Sequence, residues 1–186
     1  MCIRDRLSSV VMGNLAVTHG MPAPLALFCG LLTGTICGVV NGFLVALVRL
    51  PPFIVTLGTW FIFEAANFIY SQNATIRAQD VEASAPLLQF LGNTFRIGGA
   101  VFTYAVVAVV LLVALFYYIL NHTAWGRHVY ALGDDPDAAR LSGISTRRVL
   151  ISVYAVAGLI CGFAGWALIG RLGSVSPTSG YEANIQ

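Results

Sequence analysis

The run PLALFCGLLTGTICGVVNGFLVALV at residues 24–48 contains no charged side chain. As an α-helix, a run of this length extends for about 37 Å, which is enough to cross a bilayer with some tilt. We therefore predict a transmembrane helix over residues 24–48, and the neighbouring segments can be interpreted around it.

The rest of the chain is also strongly apolar. It has 58% hydrophobic and only 10% charged residues, with a mean hydropathy of +0.81, whereas a soluble domain averages about 45–50% apolar and about 25% charged residues. Four further candidate spans occupy residues 7–20, 53–70, 99–120 and 149–170. The first of these is short and weak. The sequence predicts an all-α polytopic membrane protein with about five transmembrane helices, and it excludes a disordered chain and an ordinary soluble enzyme.

The distribution of arginines predicts which loops face the cytoplasm. The loop 121–148 holds four arginines, and the parity of the crossings puts the corner at Arg49 on the same side. The other side carries three arginines. Because cytoplasmic loops are enriched in basic residues, we predict that residues 49–52 and 121–148 are cytoplasmic and that residues 71–98 are external.

The residue types also limit the chemistry. The chain contains ten arginines and no lysine. A P-loop needs a lysine to reach nucleotide phosphates, so ATP, if this protein uses it, must be bound by another chain. The four cysteines form no CxxC pair, and no His, Cys and carboxylate cluster has metal-ligand spacing. We therefore expect no metal and no cofactor, and the net charge of +2 is too small to indicate a nucleic-acid partner.

Glycines recur every fourth residue in the run at 24–48, and a pair with the same spacing is found in the predicted span at 149–170. On a helix such glycines form one stripe without side chains, which lets another helix backbone approach closely in lipid. We interpret them as helix-packing residues, with the alternative that the stripe lines a pore wall. The six glycines are Gly30, Gly34, Gly38, Gly42, Gly158 and Gly162.

A polar helical face follows the paired prolines Pro51 and Pro52, which mark a corner or a helix start. A polar face within a span normally faces the bundle interior or a wet cavity, so we interpret it as part of a translocation pathway. For Glu64 the alternative is that it snorkels to the external interface. The predicted pathway residues are Asn41, Thr56, Thr59, Trp60, Glu64 and Asn67.

The predicted cytoplasmic loop contains GRHVYALGDDPDAARLSGI at residues 126–144, which carries its own helix signals. Asp135 can cap the N-terminus, Pro136 suits the first turn, and Gly143 can close the helix in the left-handed conformation. We predict a short helix between two spans, lying along the membrane surface. It is either a solvated surface helix or a docking element for a soluble partner.

Three ordered signatures resemble the permease subunits of bacterial ABC sugar importers of the ribose/fructose/xylose type. They are the glycine-rich span that runs into PPFIVTLGT, the loop around GDDPDAARLSGI, and the span VYAVAGLICGFAG. The closest likeness is to fructose/ribose permeases, through LGTWFIFEAANFIYS and NHTAWGRHVYALGDDP. The resemblance covers residues 7–186, nearly the whole chain.

The resemblance implies a multi-pass protein of the bacterial inner membrane that moves a monosaccharide inward, without being an enzyme itself. Two permease chains, most simply a homodimer surrounded by membrane lipid, would form the pore, and a periplasmic sugar-binding protein would deliver the sugar. ABC ATPase subunits would grip the short helix. The implied ATPase-coupling residues are Gly133, Asp134, Asp135, Asp137, Ala138, Ala139, Arg140, Leu141 and Gly143. Many family members carry arginine where Glu64 stands, so no family role is assigned to Glu64.

Other interpretations of the same sequence stay open. An ion-coupled secondary transporter or channel is the main alternative, and a membrane enzyme is the third. We expect residues 1–6 to be non-native residues derived from a sequencing adapter, and residues 7–186 to be a partial permease domain of a longer chain.

Overall fold

The computed structural model describes residues 3–71, 75–77, 79–81, 85–97 and 100–175. Within these ranges the chain is almost entirely helical. Its helices are α1 (Ile3–Val17), α2 (Ala23–Leu47), α3 (Pro52–Ser71), α4 (Pro86–Gln89), α5 (Tyr104–His122), α6 (Ala124–Asp134), α7 (Pro136–Leu141) and α8 (Thr146–Leu172). A single 3-10 turn (Phe90–Gly92) follows α4, and strands β1 (Thr94–Ile97) and β2 (Ala100–Thr103) form an antiparallel hairpin that pairs Thr94 with Thr103. The predicted all-α polytopic class is confirmed.

Four of these helices, namely α2, α3, α5 and α8, are long and apolar enough to cross a membrane. The two spans predicted at 24–48 and 53–70 agree with α2 and α3 within one residue at each end. The span predicted at 149–170 is longer than expected, because α8 begins at Thr146 and already contains two arginines in its first turn.

Two predicted spans need correction. The described part of α1 has 15 residues, a length of about 22 Å, and ends at Val17, three residues before the predicted end of the first span. The span predicted at 99–120 begins only at Tyr104, because β2 occupies Ala100–Thr103. The chain could accommodate a hairpin there because the Gly98-Gly99 pair lies between two short runs rich in β-branched and aromatic residues, a turn signal that the longer apolar run obscured.

The bundle is held together mainly by α2 and α8, with α1 packed against both. The apolar core cluster lies near the end of the bundle where α8 finishes, and includes Met12, Leu88 and Ile169. By contrast, α5 has no buried residue. Its start is attached to the 3-10 turn by a stack of the Phe90 and Tyr104 rings, whose centroids are 5.1 Å apart. An apolar helix with this exposure suits contact with lipid.

Two sets of contacts distinguish the ends of the bundle. At one end, Trp166 Nε1 donates to the carbonyl of Leu87, and Gln89 Nε2 donates to the carbonyl of Gly173. At the other end, Arg49 and α7 line one groove, so the loops 49–52 and 121–148 lie on one side, as the parity of the crossings predicts. The assignment of that side to the cytoplasm stays a prediction.

The four amino-terminal residues that the structure describes before the family-like region, residues 3–6, continue α1 without a break. Asp5 and Arg6 are buried there. The interpretation of residues 1–6 as adapter-derived stays a prediction.

Candidate transport and coupling site

Gly34, Gly38, Gly158 and Gly162 bring the backbones of α2 and α8 into direct contact; we call these four residues the glycine seam. A Cβ built on Gly34 would lie 2.7 Å from the carbonyl oxygen of Gly158 and 3.0 Å from the Cα of Gly162. Such distances leave no room for any side chain. Because the glycines face another backbone and not open space, the geometry favours helix packing over a pore wall.

The other two predicted packing glycines have different neighbours. Gly42 continues the seam, since a Cβ there would lie 2.9 Å from Tyr154 Cβ and 3.1 Å from Ile151 Cα. Gly30 instead faces the flexible side chain of Met12 on α1. The glycine stripe of α2 thus contacts both α1 and α8. Residues spaced by four do not stay on one side of a helix, so the row turns slowly around the axis and faces α1 at Gly30 and α8 further along.

The predicted polar face of α3 is only partly buried. Thr59 and Asn67 are buried, Thr56 and Glu64 are half-buried, and Trp60 is exposed. The buried face of α3, which contacts α1, is centred about one residue earlier along the chain than the predicted face. The prediction therefore identified the edge of the buried face and not its centre.

The threonine hydroxyls on this face donate hydrogen bonds to backbone carbonyls of α3 itself. Thr56 Oγ1 donates to the carbonyl of Pro52 at 3.0 Å, and Thr59 Oγ1 donates to the carbonyl of Val55 at 2.9 Å. Such bonds within one helix are the usual way in which threonine is satisfied in an apolar environment. Either hydroxyl would have to exchange its partner in order to contact a solute.

A cleft of about 310 Å³ brings together three predicted pathway residues, Thr56, Thr59 and Trp60. Arg4, Leu57 and the rings of Phe53 and Phe63 complete its lining. The other three predicted pathway residues, Asn41, Glu64 and Asn67, do not line this cleft. The structure therefore divides the predicted pathway set into two groups.

Asn41 is the most unusual polar group in α2. Its side chain is fully buried, and neither its Oδ1 nor its Nδ2 has a hydrogen-bond partner among the described residues. A buried donor or acceptor without a partner costs about 1–3 kcal/mol. Since buried polar groups in proteins are nearly always paired, this amide is a candidate for contact with a solute, a water molecule or another chain.

The short surface helix α7 has the ends that the sequence predicts. Asp135 Oδ1 accepts from the backbone N–H of Asp137 at 2.9 Å and from that of Ala138 at 3.1 Å. Gly143 follows the helix with a φ of 83°, a left-handed conformation that glycine adopts without strain. The helix is thus capped at both ends.

The predicted coupling residues do not all face outward. Ala139 is only 4% exposed, because α7 must bury one residue to lie against α8. In this structure the Ala139 side chain is therefore turned toward α8 and not outward, and its part in ATPase coupling stays a prediction. Leu141, in contrast, is 90% exposed. The remaining predicted coupling residues are exposed as well: Gly133, Asp134, Asp135, Asp137, Ala138, Arg140 and Gly143.

Helix α6 was missed by the sequence interpretation. Thr123 caps it, since its Oγ1 accepts from the backbone N–H of Gly126. Trp125, Val129 and Leu132 are half-buried while the residues between them are mostly exposed, so apolar spacing of four and three could have revealed an amphipathic helix. Trp125 Nε1 donates to Ser152 Oγ on α8 at 2.8 Å, which ties α6 to a membrane-crossing helix.

Apolar crossing helices joined by a glycine seam, with a capped surface helix tied to one end of the bundle, define a polytopic helical membrane protein. Within the described ranges, no group of three or more His, Cys, Asp or Glu residues could hold a metal ion. The family model described as "Branched-chain amino acid transport system / permease component" matches residues 7–186. The chain belongs to this family of permease components and is a multi-pass protein of the inner membrane, which confirms the resemblance found in the sequence.

Several curated proteins are similar over most of the chain. The fructose import permease protein FrcC of Rhizobium meliloti is 62% identical over 180 residues, covering 97% of this chain and 50% of the relative. The ribose import permease protein RbsC of Bacillus subtilis is 32% identical, covering 94% and 52% respectively. The galactose/methyl galactoside import permease protein MglC of Haemophilus influenzae is 29% identical, covering 87% and 48%. The chain spans about half the length of these relatives, and no solved structure matches it.

Proposed function

We propose that the chain is part of the permease subunit of an ATP-driven importer that moves a monosaccharide, such as fructose or ribose, into the bacterial cytoplasm. The observation that carries this proposal is the 62% identity to a fructose import permease over 97% of the chain. Transport subunits of this kind bind no nucleotide themselves, in agreement with the absence of lysine from the sequence.

The relatives favour a sugar over an amino acid as cargo. The family description mentions branched-chain amino acids, but the three relatives above are each named for a sugar. Identity to the fructose permease is about twice that to the ribose and galactose permeases. Fructose is therefore the first cargo to test.

A separate ATPase would bind α7. The support is the capping of this helix at both ends together with the 90% exposure of Leu141, which leaves an apolar side chain accessible to a partner. The hydrogen bond from Trp125 to Ser152 would transmit movement of α6 and α7 to α8. A second permease chain and a periplasmic sugar-binding protein would complete the importer.

The cargo would pass along α3 and the adjacent part of α2. The cleft that contains Thr56, Thr59 and Trp60, and the unpaired amide of Asn41, are the polar features that support this route. An ion-coupled carrier is less well supported, because Glu64 is the only carboxylate within the four candidate spans and such carriers usually use several intramembrane ionisable groups.

The direct test is uptake of radiolabelled fructose. The gene that carries this chain would be expressed with its cognate ATPase and binding protein in cells that lack fructose uptake. We expect uptake to require a functional ATPase and to withstand a protonophore while cellular ATP is maintained. Uptake that persists with an inactive ATPase but stops with the protonophore would establish the ion-coupled alternative. The sugar assignment would be overturned if the cells took up leucine but not fructose, and if neither ribose nor galactose competed with the uptake of leucine.

A further inference from the structure

A groove of about 690 Å³ opens at the end of the bundle where α2 finishes and α8 begins. Arginines dominate its polar lining: Arg49, Arg140, Arg147 and Arg148, which together we call the basic groove. The only carboxylate that lines it among the described residues belongs to Asp137. The groove therefore has a strong excess of positive charge.

The packing of α2 against α8 brings these arginines together. The two helices are antiparallel, since Gly34 lies against Gly162 whereas Gly42, further along α2, lies against Ile151. Continuing this register brings Arg49, just beyond the end of α2, to the level of the first turn of α8. Arg49 also has a φ of 58°, a left-handed conformation that is uncommon for a residue other than glycine.

Among the described residues, no ion pair balances the charges of the basic groove. Within the described ranges, no carboxylate forms an ion pair with any of the four arginines, and all four are exposed. The carboxylate of Asp135 is already used to cap α7. Arg147 and Arg148 lie in the first turn of α8, where the helix dipole disfavours a positive charge. An anion between these side chains would relieve both the mutual repulsion and the unfavourable dipole.

We propose that the basic groove binds the phosphate headgroup of an anionic phospholipid. Arginine presents paired N–H donors that match phosphate oxygens, and basic pockets at the ends of membrane-crossing helices are where anionic headgroups bind. The groove also has apolar lining from Leu47 and Ile151, which lie on the membrane side of the arginines and suit the start of an acyl chain. This lipid site requires only that the chain is inserted in a membrane and does not depend on the cargo. It shares Asp137 and Arg140 with the surface of α7 that is proposed to bind the ATPase, so the test includes the ATPase.

Native mass spectrometry tests the proposal. The purified protein would be incubated with equimolar phosphatidylglycerol and phosphatidylethanolamine that carry the same acyl chains. We expect preferential retention of phosphatidylglycerol and, for the double variant Arg147→Gln/Arg148→Gln, an affinity about 30-fold lower. The variant Arg147→Lys/Arg148→Lys should retain most of the binding. Arg171→Gln, at the opposite end of α8, is the matched control and should leave lipid retention unchanged.

Several results would overturn this lipid site. They are equal retention of the two lipids, unchanged retention in the glutamine variant, and displacement of phosphatidylglycerol by inorganic phosphate at the ionic strength of a chloride control. Loss of the lipid on addition of the ATPase would assign the groove to a protein interface instead. Should the glutamine double variant fail to elute as the unmodified protein does in size-exclusion chromatography, the pair Arg49→Gln/Arg140→Gln provides the same test on the other side of the groove.

Discussion

Gly38 of α2 and Gly158 of α8 pack backbone against backbone. A Cβ built on Gly38 would lie 3.0 Å from the Cα of Gly158, and a Cβ built on Gly158 would lie 2.9 Å from the Cα of Gly38. Since each glycine excludes a side chain on the other, the two helices approach as closely as their backbones allow. This contact sets the register that also brings Arg49 to the start of α8.

The glycine seam predicts that even one methyl group is harmful. Gly38→Ala would place its Cβ against the carbonyl oxygen of Tyr154, and overpacking of this kind costs about 1–3 kcal/mol. Gly58→Ala in α3 is the matched control, because a Cβ there meets nothing within 4 Å and alanine favours a helix by about 1 kcal/mol over glycine. Thermal unfolding in detergent, followed by circular dichroism, should show a lower midpoint for Gly38→Ala only. Equal midpoints would contradict the seam.

Leu141 should matter for partner binding and not for folding. Its side chain is 90% exposed, so Leu141→Asp should leave the fold intact and weaken binding of the ATPase by about tenfold or more, a loss of about 1.4 kcal/mol, because a carboxylate replaces the apolar contact. Leu87→Asp, at the opposite end of the bundle, is the control for a charge on an exposed leucine. If Leu141→Asp retains the ATPase as well as Leu87→Asp does, α7 is a solvated surface helix.

Asp135 stabilises α7 as a cap, through two backbone N–H groups. Asp135→Ala should cost about 0.5–2 kcal/mol of helix stability, which would accelerate hydrogen exchange at the amides of Asp137 and Ala138. Asp135→Asn retains an acceptor oxygen without the charge and should preserve most of the protection. If both variants exchanged equally fast, the carboxylate charge, and not the cap geometry, would be what stabilises α7.

The hydrogen bond between Trp125 and Ser152, with its 2.8 Å separation, should link the surface helices to the membrane bundle. Trp125→Phe and Ser152→Ala should each cost about 0.5–1.5 kcal/mol, and the double variant should cost less than their sum because the two residues share one interaction. In proteoliposomes with the ATPase, each variant should raise the ATP hydrolysed per sugar transported. An additive double variant with unchanged coupling would show that α6 moves independently of α8.

Local signals allowed much of this architecture to be predicted. The ends of α7 follow from Asp135, Pro136 and Gly143, whose effects on the backbone depend on their own neighbours and not on tertiary packing. The close approach of α2 and another helix followed from the spacing of small residues. Both kinds of prediction depend only on short-range geometry.

What the sequence did not reveal depends on tertiary contacts. Ala139 and Leu141 both belong to α7, yet only the position of α8 determines that one is buried and the other exposed. Gly30 has the spacing of Gly34 but packs on Met12 of α1. The pairing of Thr94 with Thr103 was obscured because its apolar strand runs directly into α5. The spacing of residues in the sequence shows which side of a helix is apolar or small, but it does not show which helix packs against that side.

Replacing Asn41 should have opposite effects on the stability of the protein and on sugar transport. Its buried amide has no hydrogen-bond partner among the described residues, so Asn41→Leu, whose side chain has the same branching and the same number of heavy atoms, should raise the unfolding midpoint by removing an unmet polar group. The same change should reduce sugar uptake if the amide contacts the cargo, because functional polar groups are retained at a cost in stability.

Asn67→Leu is the control: Asn67 is equally buried but engages in interactions within the protein, so its loss should lower the midpoint. A midpoint that falls for Asn41→Leu as well would show that the amide has a structural partner, and a higher midpoint with full uptake would remove Asn41 from the pathway.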